Sequence, residues 1–163
     1  MILLVTGTQE PFDRLVSAVD EWAATTHDAD IFGQIANASY IPKNFNYSRF
    51  IEPGEFNEKF KAASLIIAHA GMGTILQALQ FSKPIIVFPR LFKFHETRND
   101  HQVATARSLG KLGYVRDVYN ETELFEVLNN RSSVHPAPPI GPAASETLIQ
   151  FIRDFLASCE KQT

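Results

Sequence analysis

The sequence predicts an α/β domain in which helices cover both faces of a parallel β-sheet. Short apolar runs typical of buried strands alternate along the chain with longer segments of helical periodicity. Polar or glycine-bearing loops follow several of these runs. The alternation favours a parallel sheet, because parallel neighbours are joined by a crossover connection that is usually a helix. The expected architecture is therefore Rossmann-like.

The predicted strands are short, largely apolar and bounded by turn residues: 2–6, 30–35, 48–51, 64–68, 84–88 and 114–118. The predicted helices carry apolar residues every three or four positions: 11–25, 55–63, 75–81, 99–112, 121–129 and 144–159. The first helix is the clearest, because Leu15, Val19 and Trp22 share one face. Pro11 suits its first turn, and Asp13 favours the positive end of the helix dipole.

The chain divides into three predicted parts. Residues 1–130 hold the alternating strands and helices, 131–143 form a proline-rich connector, and 144–163 form a final helix. The apolar face of that helix consists of Leu148, Ile149, Ile152, Phe155, Leu156 and Cys159, broadened by Phe151. This face either packs on the sheet of its own chain or docks on a partner, and the sequence leaves both possibilities open.

Composition and charge exclude several classes of protein. With 163 residues, 45% of them hydrophobic and 20% charged, the chain has the composition of a globular domain. A net charge of -3 gives no general attraction to nucleic acid. The single cysteine excludes an internal disulfide, and no segment approaches the roughly 20 apolar residues needed to span a bilayer. We expect a cytoplasmic protein whose membrane association comes only through a partner.

The loop between the fourth predicted strand and the third predicted helix carries the strongest functional signal. Amides at a helix N-terminus favour anions, and glycines let the main chain approach a phosphate closely. The candidate ligand-binding residues of this loop and helix are His69, Ala70, Gly71, Met72, Gly73, Thr74 and Gln77. Two glycines alone would also suit a plain strand-to-helix turn. The added polar side chains favour a diphosphate with a sugar attached.

Two further loops follow the first and fifth predicted strands. Their candidate ligand-binding residues are Gly7, Thr8 and Gln9 in the first loop and Arg90, Asp100, His101 and Gln102 in the third. The carboxyl ends of parallel strands meet at one edge of a sheet, so all three loops are expected to share a site. Each loop by itself also fits a plain turn or a solvated surface. His95 and His101 match no compact metal motif, so we expect no metal.

With these motifs the chain resembles the donor-binding, C-terminal half of glycosyltransferase family 28. Residues 5–15 are similar to the first strand and phosphate loop of the family, and 69–89 match its second loop, helix and following strand. Residues 99–102 resemble its sugar-contacting Asp/Asn-His-Gln element, and the resemblance extends to about Asn129. It is closest to single-domain subunits of split enzymes, namely the catalytic subunit of the dolichol-linked GlcNAc transferase and the PssE-like subunits of bacterial polysaccharide synthesis.

The resemblance implies the C-terminal half of a GT-B glycosyltransferase fold and a UDP-sugar donor. His69 and Thr74 would then hold the diphosphate, and Gln77 would contact the ribose. The main chain around Phe50 and Ile51 would contact the uracil. His69 is the candidate catalytic residue, with an electrostatic role in stabilising the departing UDP.

The resemblance also implies how such a domain works. The expected reaction is an inverting sugar transfer to a lipid-linked saccharide in exopolysaccharide biosynthesis, with no cofactor beyond the UDP-sugar. Two-domain relatives bind the acceptor between two such domains, and this chain has one. A membrane-anchored partner subunit is therefore expected to bind the acceptor and to hold this chain at the inner face of the membrane.

Two other functions remain open. A non-catalytic regulatory subunit that binds a nucleotide sugar would keep the same loops. A nucleotide-dependent oxidoreductase is disfavoured, because the glycine-bearing loop follows the fourth strand rather than the first and the G-x-G-x-x-G pattern is absent.

Overall fold

The strands form one parallel sheet. The computed structural model describes residues 1–26, 30–138 and 146–160. Within these ranges the strands are β1 (Ile2–Val5), β2 (Ile31–Gln34), β3 (Asn46–Ser48), β4 (Leu65–Ala68), β5 (Ile85–Val87) and β6 (Arg116–Asp117). All neighbouring strands pair in parallel, in the order β3-β2-β1-β4-β5-β6. The predicted Rossmann-like α/β fold is confirmed.

Helices connect the strands and cover both faces of the sheet. They are α1 (Asp13–Thr25), α2 (Pro53–Ala62), α3 (Met72–Gln80), α4 (His101–Lys111), α5 (Glu121–Asn129) and α6 (Glu146–Glu160). Short 3-10 turns lie at Phe92–Phe94 and Arg131–Ser133.

Several observed boundaries differ from the predicted ones, and the two largest shifts lie beside the site. The predicted strand 48–51 is observed at Asn46–Ser48, because the main-chain ladder with Phe32–Gln34 holds this edge strand without an apolar pattern. Phe50 and Ile51 consequently lie in the loop that follows it. The predicted helix 75–81 is observed at Met72–Gln80. The prediction began it too late because Gly73, in the first turn, has a low intrinsic helix propensity.

Adjacent residues of the central strands pack into separate cores on the two faces of the sheet. Leu4 and Ile67 contribute to the core beneath α1 and α5, together with Trp22. Leu3 and Ile66 contribute to the core beneath α2, α3 and α4. Side chains alternate across a strand, so a strand covered on both faces needs consecutive apolar residues. This requirement explains the uninterrupted apolar runs in the sequence.

The strand order reverses between β1 and β4. From β1 the chain continues to β2 and β3 on one side, whereas β4, β5 and β6 extend the sheet on the other. Connections leave the two central strands in opposite directions, which opens a crevice at their carboxyl ends. The loops that follow β1 and β4 border this crevice, as the sequence predicted.

Among the described side chains of the last helix, none belongs to either core. The side chains of Leu148, Phe151, Ile152 and Phe155 on α6 are 48%, 69%, 47% and 58% exposed. Part of the predicted connector, residues 139–143, lies outside the described residues, as do the side chains of Leu156 and Cys159. In the described part of the chain, no helix has the length and apolar character to cross a membrane.

Candidate active site

A cavity of about 1050 Å³ lies at the carboxyl edge of the central strands. The predicted site residues that line it are Gly7, Thr8, Gln9, Ile51, His69, Gly71, Gly73, Thr74, Gln77, Arg90, His101 and Gln102. Four predicted site residues do not line the cavity: Phe50, Ala70, Met72 and Asp100. The tertiary structure therefore brings the three predicted loops together around one space. Which of these residues contact a ligand remains a prediction.

His69 joins the loops that follow β1 and β4. A Cβ atom added to Gly7 would meet His69 Cε1 at 2.8 Å, and one added to Gly71 would meet its Nε2 at 2.1 Å. Gly7 also has a φ angle of +84°, which residues with side chains rarely adopt. Both loops therefore need glycine to admit the imidazole. The Nδ1 atom of His69 is buried and has no hydrogen-bond partner among the described residues.

The imidazole of His69 is neutral at ordinary pH. Burial, followed by the nearby positive charge of Arg90, lowers the pKa of His69 to about 4. The nearby main chain of Val5 partly opposes this lowering of the pKa. Its geometry does not qualify as a hydrogen bond to Nδ1. Before a ligand binds, His69 is therefore a neutral hydrogen-bonding group and not a cation.

This lowered pKa predicts a loss of stability in acid. Above pH 6.5 His69 is neutral in both states, whereas at lower pH the unfolded chain binds a proton that the folded chain excludes. The resulting loss should develop between about pH 6.5 and about pH 4 and reach at most about 3 kcal/mol. Urea unfolding across this range should show a steeper decline for the wild type than for His69→Gln. His135→Gln, which replaces an exposed histidine, is the control, and its free energy of unfolding should fall with pH as steeply as that of the wild type. An equally steep fall for His69→Gln would contradict the prediction.

The N-terminus of α3 supplies unpaired amides beside His69. The first main-chain hydrogen bond of the helix runs from the Ile75 N–H to the Gly71 carbonyl, at 3.1 Å. The amides of residues 72–74 therefore have no partner within the helix. Gly71, Gly73 and Thr74 line the cavity at this point, and the helix dipole adds positive potential. These features together suit an anionic group such as a diphosphate.

Gln77 lies one turn along α3 from Thr74 and also faces the cavity. Its Nε2 donates to Oδ1 of Asn57 on α2, at 2.7 Å. Ile51, after β3, lines the cavity near this end of α2, whereas Phe50 is 54% exposed. The Gln77 end of the cavity is therefore bordered by α2, α3 and the loop after β3.

Arg90 is a buried cation at the end of β5, with an exposed fraction of 3%. Its Nη2 donates to the main-chain carbonyls of Thr6, at 2.7 Å, and Glu10. The guanidinium carbon lies 4.7 Å from the centroid of the Phe12 ring. Burial lowers the pKa of Arg90, and the carboxylates of Glu96 and Glu10 oppose that shift. Arg90 thus fixes the loop after β1 and adds positive charge to the cavity wall.

The predicted sugar-contacting segment has a mixed role in the structure. Asp100 Oδ1 accepts a hydrogen bond from the Phe92 N–H at 3.0 Å, so this carboxylate shapes the loop. Gln102 is buried, and its Oε1 accepts from the Arg90 N–H at 3.1 Å. His101 begins α4 and lines the cavity with Gln102. His101 and Gln102 therefore border the cavity, whereas Asp100 does not.

An ion pair between Arg14 and Glu96 ties this third loop to α1. Arg14 Nε and Nη2 donate to the two carboxylate oxygens of Glu96, at 2.8 and 2.9 Å. Arg14 Nη2 also donates to the Pro89 carbonyl at 2.9 Å, and the guanidinium lies 4.2 Å from the Phe88 ring centroid. Glu96 additionally accepts from the Leu91 N–H at 2.8 Å. The start of the third loop is therefore fixed to the body of the domain.

The family follows from the match over nearly the whole chain. The profile of the glycosyltransferase family 28 C-terminal domain matches residues 1–150. The chain belongs to this family. The family membership predicted from the three loop motifs is therefore confirmed.

Curated relatives of this family 28 domain include two fungal proteins, each described as UDP-N-acetylglucosamine transferase subunit ALG13. The Candida albicans protein is 33% identical over 89 residues, which are 55% of this chain and 27% of the relative. The Eremothecium gossypii protein is 28% identical over 93 residues, which are 57% of this chain and 44% of the relative. The matched part thus spans less than half the length of either relative.

Solved structures show the same fold. The solution structure of ALG13 superposes with a TM-score of 0.60 at 20% identity, covering 85% of this chain and 89% of that one. MurG from Acinetobacter baumannii gives a TM-score of 0.55 at 22% identity, covering 80% of this chain and 40% of that one. The family 28 domain therefore has the architecture of one half of a GT-B glycosyltransferase.

Several residues that line the cavity of the family 28 domain were missed in the sequence: Glu10, Gln34, Pro53, Phe56, Asn57 and Thr97. Glu10 directly follows a predicted site residue and Pro53 lies two positions after one, so proximity along the chain would have found these two. Phe56 and Asn57 carry no such signal, because only the packing of α2 against α3 brings them to the cavity. Among the described residues no group of three or more His, Cys, Asp or Glu side chains could hold a metal ion.

Proposed function

We propose that this domain binds a UDP-sugar in the cavity and transfers the sugar, with inversion, to a lipid-linked saccharide. The observation that carries the proposal is the placement of His69 between two glycine loops, beside the unpaired amides of α3. Membership of glycosyltransferase family 28 supports it, as do the curated relatives described as UDP-N-acetylglucosamine transferase subunits. The proposed role is polysaccharide biosynthesis at the cytoplasmic face of a membrane.

The donor is proposed to run along the cavity from α2 to α4. The diphosphate would lie at the N-terminus of α3, where neutral His69 and Thr74 add hydrogen bonds to those of the amides. The ribose would meet Gln77, and the uracil would meet the main chain around Ile51. The sugar would then reach His101 and Gln102 at the opposite end.

The proposed reaction needs charge stabilisation more than acid catalysis. The acceptor oxygen attacks the anomeric carbon, the bond from that carbon to the diphosphate oxygen breaks, and UDP departs with the bonding electrons. Prearranged amides and an imidazole at the departing oxygens lower the barrier electrostatically, as donors in an oxyanion hole do. His69 is the proposed catalytic residue in this sense. The base that removes the acceptor proton is proposed to come from the partner, and no metal is required.

The partner is proposed to be a membrane-anchored subunit that binds the acceptor. The exposed apolar side chains of Phe151 and Ile152 on α6 support this proposal, because they contribute to neither core of the domain. An apolar helix face of this kind fits a groove on another protein. The partner would complete the cleft in which transfer takes place.

Replacing Phe151 with aspartate should separate partner binding from folding. Phe151 is 69% exposed, so we expect the free energy of unfolding to change by less than about 0.5 kcal/mol. A charge on the docking face should nevertheless weaken association with the acceptor-binding subunit at least tenfold, as co-purification and calorimetry would measure. Phe151→Leu serves as the matched control. Equal association of both variants would show that α6 is not the docking element.

Ligand-dependent thermal stability tests the proposed donor site. UDP present at about 100 times its dissociation constant should stabilise the purified domain by about 2.7 kcal/mol, with little effect of GDP or NAD. His69→Ala should remove most of this shift. A shift with NAD alone would favour an oxidoreductase. The absence of any UDP shift, both alone and with the partner present, would overturn the proposal.

Turnover distinguishes catalysis from regulation. With the acceptor-binding subunit and a lipid-linked acceptor, the wild-type domain should release UDP from its sugar donor, whereas His69→Ala should do so much more slowly. UDP binding without turnover in that complete mixture would favour the alternative, a non-catalytic regulatory subunit.

A further inference from the structure

An exposed aromatic turn lies beside the cavity, in the loop after β5. This aromatic turn, the 3-10 segment Phe92–Phe94, carries two phenylalanine side chains that are each 52% exposed. Neither phenylalanine belongs to a core of the domain, and neither lines the cavity. The cavity lining resumes at Thr97, three residues beyond the turn. The turn therefore lies at the rim of the site, and the proposed donor site assigns it no role.

The main chain of the aromatic turn is fixed by hydrogen bonds. The Leu91 N–H donates to Glu96 Oε2 at 2.8 Å, and the Phe92 N–H donates to Asp100 Oδ1 at 3.0 Å. The Phe94 N–H donates to the Leu91 carbonyl at 3.2 Å and closes the turn. These bonds hold two large apolar side chains in solvent, where they gain nothing for the fold. Such a surface indicates contact with another apolar body.

The charged groups of the loop 91–100 differ in their surroundings according to their sign. Its two carboxylates, Glu96 and Asp100, both accept from main-chain N–H groups, and Glu96 is also taken up by the ion pair with α1. Its two cations, Lys93 and Arg98, are exposed and form no ion pair within the described residues. The loop therefore presents unpaired positive charge at its surface, although the net charge of the chain is -3.

The combination of aromatic and basic side chains favours a lipid surface over a protein partner. Lys93 lies between the two phenylalanines, and its Nζ atom is 4.7 Å from the centroid of the Phe94 ring. Lysine is depleted at the centre of protein–protein interfaces. Phenylalanine together with lysine or arginine is instead typical of segments that lie at the boundary between headgroups and acyl chains. The unpaired positive charge further suits a surface of anionic lipids.

We infer that the aromatic turn is a membrane contact, in which Phe92 and Phe94 enter the interfacial region of a bilayer and Lys93 meets anionic headgroups. This contact goes beyond the proposed function, and it replaces the expectation that membrane association comes only through a partner. One short turn binds a membrane weakly, so it orients the domain and does not anchor it. The orientation brings the rim of the cavity to the surface that holds a lipid-linked acceptor.

Tryptophan fluorescence tests the contact directly. The single native tryptophan, Trp22, is only 1% exposed, so lipid cannot reach it in the folded domain. On anionic vesicles of phosphatidylglycerol and phosphatidylcholine with brominated acyl chains, Phe92→Trp should shift to shorter wavelength and lose much of its fluorescence. Leu112→Trp is the matched control, because Leu112 is 68% exposed at the end of α4 that lies away from the cavity. Its fluorescence should not change.

Vesicle co-sedimentation separates the charged part of the contact from the apolar part. Lys93→Gln should weaken binding to anionic vesicles about fivefold, because one basic residue near such a surface contributes about 1 kcal/mol. The double variant Phe92→Ser/Phe94→Ser should lose most of the binding while remaining folded, since both side chains are half exposed. Lys111→Gln, which replaces an exposed cation at the other end of α4, should bind like the wild type.

The possible outcomes separate a lipid contact from a protein contact. If lipid quenches Phe92→Trp no more than Leu112→Trp, the inference is wrong. It is also wrong if the wild type binds no anionic vesicles and Phe92→Ser/Phe94→Ser instead loses the acceptor-binding subunit, because the turn then contacts protein. Vesicle binding that all the turn variants retain would equally overturn it. UDP binding in solution needs no membrane, so its thermal shift tests the donor site independently of this inference.

Discussion

Gly71→Ala is expected to weaken UDP binding at least tenfold while the domain remains folded. The main chain at Gly71 has φ −86° and ψ 127°, which alanine adopts without strain. The new Cβ would, however, lie 2.1 Å from Nε2 of His69, so the imidazole must leave its place between the two loops. Tenfold corresponds to about 1.4 kcal/mol, comparable to the loss of one good hydrogen bond. Calorimetric titration with UDP measures it.

Two further variants make this experiment decisive. Gly54→Ala, on α2, places its Cβ where no heavy atom lies within 4 Å, and it should bind UDP like the wild type. In the double variant Gly71→Ala/His69→Ala the clash is gone, so any stability lost in Gly71→Ala should return while UDP binding stays weak. Wild-type affinity in Gly71→Ala would show that the position of the imidazole does not matter for the donor.

Arg14→Met is expected to lower the free energy of unfolding by about 3 kcal/mol, at the low end of the cost of leaving a buried charge without its partner, because both side chains are largely but not fully buried. The side chains of Arg14 and Glu96 are only 14% and 10% exposed, and they form a bidentate pair. Methionine matches much of the volume of arginine but leaves the Glu96 carboxylate without its cation. It also removes the contact with the Phe88 ring and the bond to the Pro89 carbonyl. Urea denaturation measures the loss.

The exposed pair Arg153–Glu146 provides the comparison. Its side chains are 66% and 83% exposed with a separation of 3.9 Å, so Arg153→Met should cost less than about 1 kcal/mol. The double variant Arg14→Met/Glu96→Leu should recover much of the stability, since it removes both buried charges together. If Arg14→Met destabilises no more than Arg153→Met, the buried pair does not hold the third loop in the way described.

The effect of Arg14 on function should follow from the same contacts. Glu96 accepts from the Leu91 N–H at the start of the loop that carries Arg98 and His101 to the cavity. Loss of the ion pair is therefore expected to loosen the side of the site proposed for the sugar. Among the described residues, neither α2 nor Ile51 forms a hydrogen bond or ion pair with Arg14 or Glu96.

Local sequence patterns were sufficient for the fold and for the loops of the site. Apolar runs such as 64–68 identify strands, because a strand buried on both faces tolerates few polar residues. The same reasoning misplaced β3, predicted at 48–51 and observed as an edge strand made of Asn46, Tyr47 and Ser48. Its pairing with β2 depends on main-chain hydrogen bonds, which leave little trace in the pattern of side chains.

The sequence by itself determined a parallel α/β sheet, the three loops at one edge and the family. These depend on periodicity, glycine positions and short motifs, all of which are local in the chain. Only the tertiary structure decided that Asn57 contacts Gln77, that Arg14 pairs with Glu96 and that His69 lies between two glycines. Such contacts join residues on separate elements, and their geometry follows from how helices pack on the sheet.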